Sequence, residues 1–280
     1  PANAYAPESD HYNTRYGIDA HFNLNAHSAD FHKLPGVPNC CPLFETASGT
    51  GFTVGALTEL PLSELFFLGL RAGYTTLDGK FNPKEETTII TNGVAGEGVF
   101  EHNLEASLGN LGMEVLLGIQ PIQNLSIHLG LRAGFNISAT YEQFEQITKP
   151  ASGATFLDSL GNDSHSRTRN RYSGDIPDMD GFQLFGLGGL SYDLPLNSSG
   201  TLIVSPEIFY SYNFTNLVKD SLWHTNTLRF GAAIKYRPVD IKYDFRTIEK
   251  IDTIRKTVPD IAVQRFVTGI PVTTQSKEEK

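Results

Sequence analysis

The sequence predicts an all-β fold, an eight-stranded antiparallel up-and-down transmembrane β-barrel with long loops at one end and short turns at the other. Three observations lead to this prediction. Apolar residues alternate with small or polar residues in eight segments, which is the period of a strand with two different faces. The links between these segments are alternately short and long. The composition, with 26 glycines, 18 phenylalanines and 11 tyrosines but two methionines, favours strands and turns over helices.

The charge and the hydropathy of the chain exclude several classes of protein. The net charge of −9 argues against a nucleic-acid binder, because such a protein needs a basic surface that displaces counterions from phosphates. No stretch approaches the roughly 18 consecutive apolar residues of a membrane-spanning helix. A membrane could therefore be crossed here only by strands.

The predicted strands cover residues 15–27, 51–60, 66–75, 103–119, 125–137, 182–194, 201–214 and 228–236. In the last strand one face consists of Leu228, Phe230, Ala232, Ile234 and Tyr236, and the other of Arg229, Gly231, Ala233 and Lys235. In the fourth strand the apolar residues before Gly109 fall on the opposite face from those after it. This change of parity predicts a β-bulge near Gly109.

The hexapeptide LGLRAG occurs twice and places Arg71 and Arg132 on the glycine-rich face of two strands. A lone buried arginine is rare, because removing its charge from water is costly. We expect carboxylates such as Glu114 and Glu207 to neutralise both arginines inside a closed lumen, where the glycines leave room for large side chains. The predicted network of lumen charges comprises Asp19, Arg71, Glu114, Arg132, Glu207, Arg229 and Lys235.

The links between strands point to two different ends of a barrel. The second, fourth, sixth and eighth strands end at Pro61, Pro121, Pro195 and Pro238, and tight links follow the first three of these prolines. Proline cannot donate to a strand ladder and is typical of strand ends, so these prolines mark one common rim. The other links are mostly long and polar, and the one that contains Asn92-Gly93 predicts a hairpin that extends past the barrel body. Alternating short turns and long loops are typical of outer-membrane barrels.

Alternation alone does not distinguish a membrane barrel from a soluble lipocalin, which turns its apolar face inward. Two features favour the membrane: the charges on the glycine-rich face are of both signs, and aromatic residues cluster near strand ends on the apolar face, as in interfacial girdles. We therefore predict that the apolar face points outward. The predicted girdle comprises Tyr16, Tyr74, Phe135, Tyr192, Tyr210, Tyr212 and Tyr236.

Residues 12–238 resemble the N-terminal barrel domain of OmpA-like bacterial outer-membrane proteins. The resemblance rests on the loop sequences LPGVPNCCP, SGTGF and SGDIPD. Residues 1–11 form an N-terminal segment. The resemblance implies that residues 239–280 are a periplasmic linker or tail, and that a peptidoglycan-binding domain of the family lies outside this sequence. The tail is expected to be irregular, with a short strand around residues 241–245. The last barrel strand, ending at Tyr236, is similar to the terminal signal read by the barrel-insertion machinery.

The sequence carries few signals of catalytic or metal chemistry. Cys40 and Cys41 are adjacent and could form a vicinal disulfide or stay reduced. Nucleophile-elbow, phosphate-loop, HExxH and EF-hand motifs are absent, so we predict no catalytic residues, no cofactor and no enzyme activity. The histidines of the polar face, and Asp175, Asp178 and Asp180 in a long link, have no metal-site spacing, so we predict no metal.

These expectations combine into a structural or anchoring protein of the bacterial outer membrane, whose lumen is plugged by paired charges. The alternatives are a narrow channel for ions or small solutes, a surface-loop adhesin or assembly subunit, and a soluble ligand-binding barrel of the lipocalin type. The expected partners are outer-membrane lipid and lipopolysaccharide, with envelope or surface proteins at the long loops and no nucleic acid. The long loops would then be extracellular and the tail periplasmic.

Overall fold

The computed structural model describes residues 13–38, 42–91, 93–150, 152–219 and 221–238, and the backbone of residues 263–267 and 270–275. The chain divides after Pro238 into two units, residues 1–238 and 239–280. No helix in the described part of the chain is long and apolar enough to cross a bilayer. The strands are β1 (Arg15–Phe31), β2 (Phe44–Pro61), β3 (Phe66–Thr76), β4 (Gly79–Phe81), β5 (Lys84–Thr91), β6 (Val94–Ile122), β7 (Leu125–Lys149), β8 (Thr168–Asp175), β9 (Phe182–Tyr192), β10 (Leu194–Pro195), β11 (Leu202–Asn213), β12 (Leu222–Tyr236), β13 (Val263–Val267) and β14 (Ile270–Gln275).

Eight strands of the first unit close into an antiparallel barrel, which confirms the predicted fold class. Each strand pairs with its neighbours in the order β1, β2, β3, β6, β7, β9, β11 and β12, and the ladder between β12 and β1 closes the ring. That ladder runs without a register shift from Tyr16 opposite Tyr236 to Asp30 opposite Leu222. A closed ring removes the free edges that an open sheet would expose.

The register of the strands sets the width of the barrel. Following paired residues once around the ring from Leu202 leads through Tyr236 and Tyr16 back to the same strand at Tyr212, ten residues further along. Strands staggered in this way tilt by about 35–45° to the barrel axis, and eight of them enclose an interior that side chains can fill. The interior of this barrel is therefore narrow enough to be filled by side chains.

All the predicted strands are present, and several extend further than the sequence pattern indicates. β2 begins at Phe44, and β6 and β7 reach Val94 and Lys149 at the end where the long links lie. The predicted bulge is found as a register shift between Gly109 and Asn110 in the β6–β7 ladder. It lies close to the level at which the two strands leave the barrel wall.

The links define two ends of the barrel. Short links join β2 to β3, β6 to β7, and β9 to β11, and we call their end the turn rim. The tightest link consists of Gln123 and Asn124, and Asn124 adopts a left-handed φ of 70°, which asparagine tolerates. We call the opposite end the loop rim; its links cover residues 32–43, 77–93, 150–181 and 214–221 and include β4, β5 and β8.

Beyond the loop rim, four strands continue as an open sheet in the order β5, β6, β7, β8, which we call the projecting sheet. The link after β7 covers one face of this sheet. Phe156 of that link packs on Phe100 with ring centroids 5.3 Å apart, and Ile147 is buried with it. Arg169 lies 4.3 Å over the Phe156 ring and donates from Nε to Glu145 at 2.6 Å.

An apolar cluster, which we call the apolar cap, fills the barrel at the loop rim. Its centre is Trp223, whose ring lies 5.3 Å from Phe31 and 5.5 Å from Phe81. The long links are mostly polar, as the sequence indicates, but single residues of them point inward: Leu34, Val37, Ile176, Leu217 and Val218 are buried in the cap. The physical reason is that this end of the interior contains no ion pairs among its described residues, and apolar side chains must fill it.

The second unit contains a feature that the sequence pattern did not predict. β13 and β14 pair as an antiparallel hairpin between Val263 and Gln275, whereas we expected an irregular tail. Valine, isoleucine and threonine are frequent in both segments, and a two-residue link that ends in Gly269 separates them, which favours a hairpin. The strand expected around residues 241–245 lies outside the described residues, and so do Cys40 and Cys41.

Candidate functional site

The two faces of the barrel wall carry opposite kinds of side chain. Arg71 and Arg132 point inward and are 7% and 3% exposed, whereas Leu131 is 53% exposed and Leu70 is half-buried on the outer face. Exposed apolar side chains of the outer face include Ile18, Phe22, Val54, Met113, Val115, Leu129, Ile208, Phe230 and Ile234. A continuous apolar band of this kind is unfavourable in water and is solvated by hydrocarbon. These features define a transmembrane β-barrel.

Aromatic residues edge the apolar band of the transmembrane barrel at two levels. Tyr16, Tyr192 and Tyr236 lie near the turn rim, where Tyr16 and Tyr236 are directly opposite each other on neighbouring strands. Tyr74, Phe135, Tyr210 and Tyr212 lie towards the loop rim. All seven predicted positions are on the outer face; six are exposed, and Tyr74 is half-buried 5.9 Å from the Phe52 ring. The prediction omitted Phe52, Phe182 and Phe214, whose rings contact the aromatic residues of the level towards the loop rim.

All seven predicted lumen charges point into the barrel and are less than 8% exposed. Two ion pairs join strands that lie four places apart in the ring of eight, and therefore cross the full diameter. Arg71 on β3 pairs with Glu207 on β11, with Nη1–Oε2 and Nη2–Oε1 distances of 2.7 and 2.9 Å. Arg229 on β12 donates to Glu114 on β6 at 2.7 Å. The lumen is thus braced across its width.

The expected partnership of Arg132 with Glu114 is present but longer than the cross-lumen pair. Arg132 Nε lies 3.6 Å from Glu114 Oε1, the same oxygen that accepts the short hydrogen bond from Arg229. Asp19 contacts His21 Nδ1 at 3.2 Å, and the other ring nitrogen of His21 lies 3.2 Å from Glu207. His21 therefore connects Asp19 to the Arg71 pair, a role that the sequence did not indicate.

One aromatic ring contacts both cross-lumen pairs. Phe209 is fully buried, and the guanidinium groups of Arg71 and Arg229 lie 4.8 and 5.3 Å from its centroid. Each contact has cation–π geometry, in which the ring face attracts the positive charge. Gly189 makes room for this ring, because a Cβ there would lie 2.3 Å from it. The glycine-rich face therefore serves the packing of large side chains, as its composition predicted.

A second ionic cluster closes the lumen at the turn rim. Lys235 Nζ lies 2.6 Å from Glu59 Oε1 and 3.3 Å from Asp193 Oδ1, and Arg15 contacts the same two carboxylates at 3.3 and 2.8 Å. Lys235 is also 3.9 Å from Glu207, which links the two clusters. Arg15, Glu59 and Asp193 were not predicted, although the alternation of β2 places Glu59 on the lumen face.

Apart from its histidines, the described part of the lumen carries equal numbers of cationic and acidic side chains. Five cations, Arg15, Arg71, Arg132, Arg229 and Lys235, contact or lie beside five carboxylates, Asp19, Glu59, Glu114, Asp193 and Glu207. A cavity of about 10 Å³ lies between Asp19, Thr53, Arg71 and Glu114. A cavity of this size holds at most about one water molecule. The lumen at this level is packed, and its arginine and lysine side chains are matched in number by carboxylates.

The other sequence candidates lie apart from one another. His27 belongs to the apolar cap and accepts a hydrogen bond from the Trp223 indole N–H at 3.0 Å, while His128 contacts Ser191 at 2.8 Å. Asp175 ends β8, and Asp178 and Asp180 lie in the following link. Within the described residues there is no group of three or more histidine, cysteine or acidic side chains that could hold a metal ion.

Outside the membrane, the projecting sheet carries exposed ion pairs. Lys149 Nζ contacts Glu97 at 2.6 Å, and this hydrogen bond lowers the pKa of Glu97 and raises that of Lys149. In the covering link, hydrogen bonds from the Thr155 hydroxyl and the His165 backbone N–H lower the pKa of Asp163. These groups are exposed, so their ion pairs and hydrogen bonds contribute little to the stability of the fold.

No protein-family model and no curated protein sequence matches this chain. Among solved structures, Ail, the attachment invasion locus protein of Yersinia pestis, is 10% identical with a TM-score of 0.32, over 80% of this chain and 99% of that one. Neisserial surface protein A is 12% identical with a TM-score of 0.35, over 80% and 97%. The outer membrane protein AlkL is 8% identical with a TM-score of 0.35, over 86% and 98%. Values this low transfer no function to this chain, and the architecture described above rests on its own strand order and register.

Proposed function

We propose that this protein is a structural barrel of the bacterial outer membrane, whose lumen is closed by its own ion pairs and which presents the projecting sheet outside the cell. The observation that carries the proposal is the pair of braces across the lumen, Arg71–Glu207 and Arg229–Glu114. Both lie at the level of the apolar band. A solute on the barrel axis would have to separate them.

The energetics support a plug rather than a conducting pore. Removing one partner of a buried ion pair typically costs about 3–5 kcal/mol, because the remaining charge stays unpaired away from water. The Phe209 ring contacts both braces, Lys235 and Arg15 occupy the turn rim, and the apolar cap fills the loop rim. Conduction would require several of these barriers to move together, so we expect a closed barrel at rest.

Planar-bilayer recording of the purified full chain tests the plug. We expect no steady conductance from the wild type. After both braces are removed in Glu114→Ala/Glu207→Ala, we expect conducting events that are brief and infrequent, because the turn-rim cluster and the apolar cap remain. A matched control is Glu97→Ala/Glu105→Ala, which removes two exposed carboxylates of the projecting sheet. Steady openings in the wild type that change in Arg132→Ala would contradict the plug and favour the narrow channel.

The bacterial outer membrane is the location that best fits this barrel. Short turns at one rim and long links at the other are typical of such barrels, in which the long links face outward. The tail beyond Pro238 would then lie in the periplasm, and lipid and lipopolysaccharide would surround the apolar band. The loop texts that resemble those of OmpA-like proteins support an anchoring role with the tail as a linker. Fractionation of cells with and without detergent tests the membrane location, and heat-modifiable gel migration tests barrel closure. Release of the protein without detergent would exclude the outer-membrane location.

A surface-contact function is the second candidate, and the length of the projecting sheet favours it. β6 and β7 remain paired from the bulge at Gly109 out to Val99 and Lys149, and β5 continues the sheet on one side. Exposed apolar side chains occur at Ile90 and Val94, close to the hairpin end. Closing the lumen does not require such an extension, whereas contact with another surface outside the membrane does require one.

A further inference from the structure

One edge of the projecting sheet is regular and open. β5 pairs with β6 without a register shift from Lys84 opposite Glu101 to Thr91 opposite Val94. Among the described residues no strand pairs with its other edge. An edge strand presents unpaired N–H and C=O groups that can accept a further strand, and natural sheets usually protect such an edge with charge, proline or a bulge.

The opposite edge of the sheet carries that protection. β8 has a register shift against β7 between Gln143 and Glu145, and Asn170 within it adopts a left-handed φ of 51°. Arg169 and Arg171 place charges along it. These features make β8 irregular and charged, and therefore a poor template for another strand.

The second half of β5 lacks every one of these protections. Residues 87–91, with the sequence TTIIT, contain no charge, proline or glycine and consist entirely of β-branched side chains, which favour strands. Ile90 in this stretch is 71% exposed, although it lies outside the apolar band of the membrane. The charged residues of the strand, Lys84, Glu85 and Glu86, are confined to its first half.

Membrane geometry restricts which strand can pair with this edge. All copies of the barrel in one membrane point the same way, so their β5 strands run in the same direction and cannot pair antiparallel. Copies in two facing membranes run in opposite directions. β6 continues from Leu108 to Val94 beyond the bulge, which at about 3.3 Å per residue is roughly 50 Å of strand, so the β5–β6 hairpin end projects far from the apolar band.

We propose that β5 pairs antiparallel with β5 of a second copy in a facing membrane, in a register centred on Ile89. This register places Thr88 opposite Ile90 and Thr87 opposite Thr91 of the other copy. Pairs of β-branched side chains on adjacent strands are favourable, and all three charged residues of β5 fall outside the overlap. The inference rests on the proposed function, because it requires the barrel to sit in a membrane with its loop rim outward.

The charge of the protein makes the salt dependence of this contact diagnostic. The net charge of −9 repels two copies, and the proposed overlap contains no ion pair. Salt should therefore promote self-association by screening the repulsion. A basic extended segment of another protein, attracted by Glu85 and Glu86, would bind the same edge with the opposite salt dependence.

Vesicle aggregation tests the proposal with a closely matched pair of variants. The full chain is inserted into phosphatidylcholine vesicles with the loop rim outward, and turbidity is recorded between 50 and 500 mM NaCl. We expect wild-type vesicles to aggregate, increasingly with salt, and Ile90→Lys to slow aggregation at least fivefold. Val94→Lys is the control, since this residue is 70% exposed on the same hairpin but lies on β6. Equal loss in both variants, or no aggregation of the wild type, would overturn the proposal.

Cross-linking tests the register in a background that carries Cys40→Ser and Cys41→Ser. Vesicles with Thr88→Cys are mixed with vesicles with Ile90→Cys, and we expect a disulfide-linked dimer that neither population forms alone to the same extent. A cysteine at Tyr172 on β8 serves as the control edge and should not cross-link. Dimers formed equally through Tyr172→Cys, or aggregation only after a basic protein is added, would overturn self-pairing. Heat-modifiable migration of the same samples reports barrel insertion separately, so a failure of the membrane assignment is distinguishable from a failure of the contact.

Discussion

Arg71 and Glu207 form a two-point ion pair across the full width of the barrel, from β3 to β11, with both contacts at 2.9 Å or less. The two residues are 136 positions apart in sequence, and their strands are not neighbours in the sheet. Backbone pairing holds only adjacent strands together. This side-chain pair therefore contributes a connection that the ladders cannot, and the interior of the barrel depends on it.

Glu207→Gln should destabilise the barrel by about 3–5 kcal/mol, because it removes the carboxylate that is hydrogen-bonded to the buried Arg71 guanidinium. Urea unfolding in detergent micelles, followed by the loss of heat-modifiable migration, measures the change. The control is Glu105→Gln, which breaks the exposed contact of Glu105 with Lys80 at 2.8 Å and should cost less than about 1 kcal/mol. Equal changes in the free energy of unfolding for the two variants would show that the buried Arg71–Glu207 pair stabilises the barrel no more than an exposed ion pair does.

Glu114→Ala should weaken the barrel or open a leak, since it deprives two arginines of their partner. Because the Arg229 contact is 2.7 Å and the Arg132 contact is 3.6 Å, a double-mutant cycle with alanine should give a larger coupling energy for Arg229 with Glu114. Unchanged heat stability and unchanged conductance in Glu114→Ala would reject the network. A larger coupling energy for Arg132 with Glu114 would reject Arg229 as the main partner of Glu114.

Glycines that line the lumen should be less replaceable than those that face lipid. A Cβ on Gly130 would lie 2.0 Å from the Val115 carbonyl oxygen, whereas a Cβ on Gly188 would meet only Leu129, at 3.7 Å. Forcing atoms into a packed interior typically costs about 1–3 kcal/mol. We therefore expect Gly130→Ala to lower the urea midpoint clearly and Gly188→Ala to leave it nearly unchanged. The reverse order would contradict the inward placement of Gly130.

The apolar cap can be followed by fluorescence, because Trp223 is the one tryptophan of the sequence and is fully buried. Phe81→Ala removes a ring that contacts Trp223 at 5.5 Å. Truncating a buried phenylalanine typically costs about 3–5 kcal/mol, so we expect a red-shifted emission and earlier unfolding of the cap. Leu160→Ala, which truncates an exposed residue of the covering link, should leave the emission unchanged.

Acid should loosen the turn that an antiparallel bridge between Leu157 and Asp163 closes, while the barrel remains closed. Hydrogen bonds from the Asn162 backbone lower the pKa of Asp158, and those from Thr155 lower the pKa of Asp163. A carboxyl whose folded pKa is depressed contributes stability above its unfolded pKa, about 4, and loses it as the pH falls through the folded value. The protection of the amides of residues 158–163, measured against the exchange rate of an unstructured peptide at the same pH, should therefore fall below about pH 4. Asp158→Asn/Asp163→Asn should abolish most of this pH dependence.

Much of the barrel could be predicted from local pattern. Alternation identified the outer and inner faces of β3, β7 and β12, and the change of parity in β6 marked the bulge at Gly109. The same parity would also have placed Glu59 in the lumen, had it been applied to β2. Arg15 and Asp193 lie at strand ends, where alternation carries little information, and the apolar cap is built from single residues of long links that have no period at all.

The sequence by itself determined the closed eight-stranded wall, its two different rims and the direction in which Arg71 and Arg132 point, because each of these follows from residues adjacent in the chain. Only the tertiary structure decided that Arg71 meets Glu207, that Arg229 takes the short contact with Glu114, and that β5 is left as an open edge. The two ion pairs depend on the ten-residue stagger around the ring, and the open edge of β5 depends on which strands pair beyond the loop rim; both are properties of the sheet as a whole.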